Sequence, residues 1–158
     1  MADKKYTKLT SFAGEDRNPV FSKDGKALYY LSEESGTMNV MFQIGDTLVT
    51  PPTGDTILKG ITRDSVLKLA ADYGMEVEER KISIDEILVA HQRGQLLDAF
   101  GVGTAATIAP IELIGYNDDD LILPPVENRT LSKRISEGLK AIRYGEVEDK
   151  FGWMVSMN

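Results

Sequence analysis

The sequence predicts a mixed α/β fold in which antiparallel hairpins come first and helices alternating with strands follow. Apolar and aromatic runs interrupted by Asp24-Gly25 and Gly45-Asp46 have the pattern of strands joined by tight turns. Beyond Pro51-Pro52 the apolar residues change to helical spacing, first at Val66, Leu69, Ala70 and Tyr73. Gly74, Gly94 and Gly145 each close a run of that spacing, as helix stops do.

The elements follow in order. Ala27 to Leu31, Met38 to Ile44 and Thr47 to Thr50 are expected strands, and Pro51-Pro52 ends pairing because proline has no amide to donate. Thr62 is placed to cap a helix from Arg63 to Tyr73. Val77 to Ile82 reads as a strand. Ser83-Ile84-Asp85-Glu86 is a capping box opening a second helix, with Ile84, Ile87, Leu88 and His91 on one side. Leu96 to Gly101, Thr104 to Ile108 and Ile111 to Tyr116 read as short strands, and Asp118 to Asp120 as a solvated acidic turn. A third helix spans Thr130 to Tyr144, with Leu131, Ile135, Leu139 and Ile142 as its core face. His91 is expected to be a partly buried side chain on its helix.

The composition excludes several chemistries. The chain has 158 residues, 42% of them hydrophobic, enough for one domain with a core. Its 25 acids and 18 bases give a net charge of −7, contrary to a nucleic-acid or anionic-membrane surface. Cysteine is absent and His91 is the sole histidine, so thiol nucleophiles, thiolate zinc sites and multi-histidine metal sites are ruled out. The start, MADKKYTKLT, lacks the apolar core of a signal peptide, and no apolar run reaches membrane-spanning length. The expected setting is cytoplasmic.

Three places carry candidate chemistry. Lys59-Gly60-Ile61-Thr62-Arg63 opens a helix, whose unpaired amides and dipole favour an anion; Gly60 permits close approach and Thr62 adds a hydroxyl. The same pattern also suits a plain helix cap. Gly101-Val102-Gly103-Thr104-Ala105-Ala106 is a narrow, donor-rich bend suited to a phosphate or carboxylate, or else a crowded strand crossing that admits only small side chains. Glu34 lies between Glu33 and Ser35-Gly36-Thr37. A carboxylate beside anion cradles requires a cation between them, and a protonated ring nitrogen would serve. Arg63 and Arg129 are further groups able to touch anions.

Read together, the stretches EESGTMNVMF, TPPTGDTILKGITRDSV, ERKISIDE, AFGVGTAATIAP, LPPVENRTLS and IRYGEVEDKFGW resemble the C-terminal half of a branched-chain amino acid aminotransferase. This is a pyridoxal-phosphate enzyme of fold type IV, the fold shared with D-amino acid aminotransferase. The resemblance runs over residues 34–158 in family order. It implies that Glu34 keeps the cofactor's pyridine nitrogen protonated, that Gly60, Ile61 and Thr62 form the loop binding the cofactor phosphate, and that Thr104 is the second phosphate ligand. It further implies that Thr37, with the amides around Ala105 and Ala106, receives the substrate α-carboxylate. The implied partners are a small amino acid and a 2-oxo acid, namely leucine, isoleucine or valine with 2-oxoglutarate. The acid and the two bends should then converge on one flat, phosphorylated, positively charged ring.

Two departures qualify that expectation. The family's Schiff-base lysine lies in a segment like A-K-x-G-G-N-Y, and none of Lys4, Lys5, Lys8, Lys23 and Lys26 has that context, so the chain alone is expected to be inactive and to bind the cofactor weakly or not at all. Residues 8–40, containing RNPVFSKDGKALYYLSEESG, also resemble one blade of a TolB-type or tricorn-type β-propeller. Residues 1–33 are accordingly expected to be a lead-in hairpin, followed by the aminotransferase portion, 34–158. The alternative reading is a noncatalytic, propeller-derived binding or interaction module, or a chimeric or truncated gene product. A half-enzyme also exposes an apolar face, which implies self-association.

Overall fold

A computed structural model describes residues 16–21, 28–32, 39–54, 57, 59–103, 107–116 and 119–155. The chain divides into two units, Met1–Gly36 and Thr37–Asn158. In the first, β1 (Asp16–Phe21) pairs antiparallel with β2 (Leu28–Ser32), with an irregular register between Arg17 and Val20.

The second unit is built on a five-stranded sheet. Its elements are β3 (Asn39–Ile44), β4 (Thr47–Thr50), α1 (Ile61–Asp72), β5 (Glu76–Glu79), α2 (Ile84–Gln92), β6 (Leu96–Val102) and β7 (Ile108–Pro110). A separate hairpin of β8 (Leu113–Tyr116) and β9 (Asp119–Ile122) follows, then α3 (Leu131–Arg143). The sheet order is β5-β4-β3-β6-β7, with only β4 and β5 parallel. Their connection is α1, the crossover that parallel neighbours require.

Successive strand residues face opposite sides of the sheet, and both sides are covered. Met41, Leu48, Phe100 and Val102 face α1 and α3, meeting Val66, Leu69, Leu131, Ile135, Leu139 and Ile142. Phe42, Leu96 and Ala99 belong to a second cluster with Ile87, Ala90, Leu121 and Leu123, from α2 and the end of the β8–β9 hairpin. All four apolar positions expected to form the core face of α3 are buried.

Several expected boundaries shift for local reasons. α1 starts at Ile61, with Gly60 as an extended N-cap that offers no side chain, so Thr62 is the second helical residue and not the cap. β5 stops at Glu79, because its partner β4 ends at Thr50, ahead of Pro51-Pro52. Ser83 caps α2 as expected, accepting from the Glu86 amide at 3.2 Å, but the Glu86 carboxylate binds Arg80 instead of closing the box. β7 runs from Ile108 to Pro110, an edge position that needs no further donor, and the expected strand start at Thr104 lies outside the described residues. Asp119 and Asp120 lie in β9, not in a turn, because Leu121 and Leu123 alternate with the exposed Ile122 to cover the α2 side. His91 is half-buried, and its Nε2 lies 2.9 Å from the Ile122 carbonyl.

A buried ion pair seats α3. Asp98 of β6 and Arg129 are both fully buried and 3.3 Å apart. The other Asp98 oxygen accepts from the Ser132 amide at 3.1 Å, so a carboxylate from the sheet caps α3 where Thr130 does not. Arg129 also donates to the carbonyls of Pro124 and Ala99. Next to α1, Gly138 of α3 receives the Tyr73 hydroxyl so closely that a Cβ at 138 would collide with it. The guanidinium of Arg134 lies 3.9 Å from the Tyr73 ring centroid and holds that ring in place.

Three outcomes follow from these contacts. Asp98→Ala should cost about 3–5 kcal/mol in urea unfolding, because it strands a buried guanidinium, and Asp98→Ala with Arg129→Met should recover part of that loss. Gly138→Ala should lower the melting temperature, with a cost of about 1–3 kcal/mol from overpacking; in a Tyr73→Phe background that cost should vanish and a helix-propensity gain of up to about 1 kcal/mol should appear. The hydrogen bond from Arg80, helped by its charge against a smaller desolvation effect, holds the Glu86 carboxyl below its ordinary range. A lowered folded pKa stabilises above the unfolded value and is lost as pH falls through the folded one. The difference in stability between the native chain and Glu86→Gln should therefore be present at pH 7 and close as pH falls below the ordinary glutamate range.

Candidate functional site

The register of the sheet brings several chain segments to one end. Asn39 pairs with Val102, so β3 begins where β6 finishes. Phe42 pairs with Val49 and Ile44 with Thr47, which puts the finish of β4 beside the start of β3. There the Thr50 hydroxyl donates to the Val40 carbonyl at 2.9 Å. Thr50 pairs with Glu79, so β5 also finishes at this end. Arg63 reaches the Pro51 carbonyl at 2.6 Å and Glu79 at 2.8 Å, which fixes the start of α1 there as well.

The start of α1 lines a cavity of about 500 Å³ together with Thr53, Lys59, Arg63, Leu67 and Glu79. The first helical hydrogen bond runs from the Asp64 amide to the Gly60 carbonyl at 3.1 Å. The amides of Ile61, Thr62 and Arg63 precede it and have no intrahelical partner. Among the described residues nothing lies within 4 Å of the direction a Gly60 side chain would take, so a ligand can approach the backbone. The acids at this wall are compensated, Glu79 by Arg63 and Asp64 by Lys68 at 2.7 Å, while exposed Lys59 adds positive charge. Amide donors, a helix dipole and balanced acids fit a phosphate-bearing group.

Of the residues expected at the site, Gly60, Ile61 and Thr62 stand together at the start of α1. Glu34, Thr37, Thr104, Ala105 and Ala106 lie outside the described residues. Asn39, which opens β3, and Gly103, which follows β6, lie at the same end of the sheet. Arg129 is spent inside the fold on Asp98 and so is unavailable to a ligand. Arg63 likewise points inward, to Pro51 and Glu79. Asn39 was not expected at the site. It is 4% exposed, and its Oδ1 has no hydrogen-bond partner among the described residues. A polar side chain directly ahead of the apolar run Val40, Met41 and Phe42 was the available signal. Among the described residues no group of three or more His, Asp or Glu could hold a metal ion, and no helix is long and apolar enough to cross a membrane.

Known proteins resemble this chain in sequence and fold. The amino-transferase class IV family matches residues 21–114. Branched-chain-amino-acid aminotransferase 2 of Bacillus subtilis is 42% identical over 130 residues, covering 82% of this chain and 36% of its own length. The branched-chain-amino-acid aminotransferase of Mycolicibacterium smegmatis is 37% identical over 80% of this chain and 35% of its own. The structure of the branched-chain amino acid aminotransferase from Escherichia coli superposes with a TM-score of 0.59 at 32% identity, over 77% of this chain and 38% of that one. An aminotransferase from Brucella abortus bound to the cofactor PLP gives a TM-score of 0.53 at 25% identity, over 68% of this chain and 34% of that one. The chain thus spans about 37% of the length of the curated relatives it matches. With the matched family covering more than half of its residues, the chain belongs to the class IV aminotransferases and corresponds to a fold type IV segment of the branched-chain enzymes.

Proposed function

We propose that this chain is the cofactor-binding half of a branched-chain amino acid aminotransferase, which exchanges amino groups between leucine, isoleucine or valine and 2-oxoglutarate. The observation that carries this reading is the shared end of the sheet, where β3 starts, β4 and β6 finish, and α1 presents three amides without helical partners. Pyridoxal phosphate, when bound, supplies an electron sink for charge developing at the substrate Cα. Gly60, Ile61 and Thr62 hold its phosphate with backbone amides and the Thr62 hydroxyl, and Thr104 is the second phosphate ligand. Glu34 keeps the proton on the pyridine nitrogen. Thr37 and the amides of Ala105 and Ala106 receive the substrate carboxylate.

Moving a proton at Cα requires a lysine, and no lysine of this sequence stands in the family's A-K-x-G-G-N-Y context. The 158-residue chain therefore binds the cofactor weakly and turns over nothing by itself. We place residues 1–33 as a lead-in hairpin ahead of the aminotransferase portion, with the family match, which begins at residue 21, reaching into that hairpin. Self-association and a cytoplasmic setting, congenial to a cysteine-free chain, complete the reading.

Titration with pyridoxal phosphate, followed by amide NMR, tests it. Shifts should be concentrated at residues 60–63 and 103–106, and pyridoxal without phosphate should leave 60–63 unmoved. Unmoved signals at 60–63 with the phosphate present would remove the cofactor assignment. A stoichiometric lysyl adduct after borohydride, together with leucine–2-oxoglutarate turnover, would overturn the inactivity.

A further inference from the structure

The first turn of α1 lacks the usual means of holding itself. Gly60 provides no capping side chain, and Ile61 is 86% exposed, so neither a cap nor apolar burial secures the opening residue. Arg63 is the third helical residue, a position where a cation opposes the helix dipole. It is nevertheless 3% exposed. One Nη donates to Glu79 and the other to the Pro51 carbonyl, while Nε is buried without a partner among the described residues. Pro51 follows β4 and Glu79 ends β5, so one guanidinium ties the helix start to both strands that the helix connects.

Stability alone does not account for that placement. Burying a guanidinium costs several kcal/mol before its partners compensate, and the dipole adds to the cost. An anion at the amides of Ile61 and Thr62 would reverse the local balance of charge. Both Nη groups are committed elsewhere, so the contribution of Arg63 is to aim those amides. Lysine could not reproduce it, because an ammonium does not present a planar two-acceptor fork.

We infer that Arg63 is a positioning residue for the anion subsite at the start of α1, locking the amides of Ile61 and Thr62 in line through Pro51 and Glu79. This rests on the reading of that subsite as the place of the cofactor phosphate. The test uses the full chain and the variants Arg63→Met, Arg63→Lys and Glu79→Gln, with pyridoxal phosphate and pyridoxal as probes. Hydrogen exchange at the amides of Asp64 to Leu67, which close the first turn, should rise about tenfold in Arg63→Met while α3 stays protected, since local opening is separable from global unfolding. The preference for pyridoxal phosphate over pyridoxal should fall about tenfold in Arg63→Met, with smaller losses in Arg63→Lys, which keeps one bond of the fork, and in Glu79→Gln, which keeps an acceptor and loses only its charge. Equal preference in native chain and Arg63→Met, or exchange rising uniformly through α1 and α3, would overturn the positioning role. A native chain that binds both probes equally would instead refute the phosphate subsite, and the exchange measurement would then show by itself whether the clamp exists.

Discussion

The buried carboxylate of Asp98 is the constraint on which the second unit depends. It lies on the inner strand β6 and meets two groups from one later segment, the Arg129 guanidinium and the Ser132 amide. Charges removed from water favour folding only when their remaining hydrogen-bonding capacity is also met, and here two carbonyls help to meet it. The result is a fixed seat for α3, which lies against α1 where Gly138 admits Tyr73. A chain of rigid contacts therefore runs from the sheet through α3 to α1, and so to the helix start that faces the proposed anion.

The two arginines show how similar side chains serve different ends. Arg129 and Arg63 are equally buried, at 3% exposed each. Arg129 meets a carboxylate that is itself fully buried, and acts far along the chain from its partner. Arg63 meets Glu79, whose side chain is 49% exposed, so its ion pair stands at the margin of the cavity. The first secures the packing of a layer. The second controls an orientation at the surface, where a ligand can respond to it.

Much of this organisation was legible in the residues. Helical spacing marked the buried face of α3, and Gly45, Gly74, Gly94 and Gly145 all take the positive φ that turns and helix stops demand. The start of α1 was misplaced because Thr62 offers a plausible hydroxyl cap, whereas the backbone uses the bare Gly60. β9 was missed because Asp118, Asp119 and Asp120 suggest solvent, while the alternation that decides the matter begins only at Leu121. The partners of Arg63 and Arg129 are 16 and 31 residues away, beyond the reach of any local pattern. Of the candidate site, the loop at 60–62 was legible from glycine, hydroxyl and helix start. The supporting clamp was not, because it exists only once β4 and β5 lie side by side.

The C-terminal tail carries one more consequence. Trp153 stacks on Phe151 with ring centroids 4.3 Å apart, and Lys150 joins the tail to Asp72 in the last turn of α1. The chain's sole indole thus sits near the far end of a helix about 18 Å long, given its 12 residues. Its fluorescence will register the tail peeling away or the helical layer loosening. At that separation it will not feel the arrival of a colourless molecule at the opposite tip, and only a ligand that absorbs where indole emits can dim it from there.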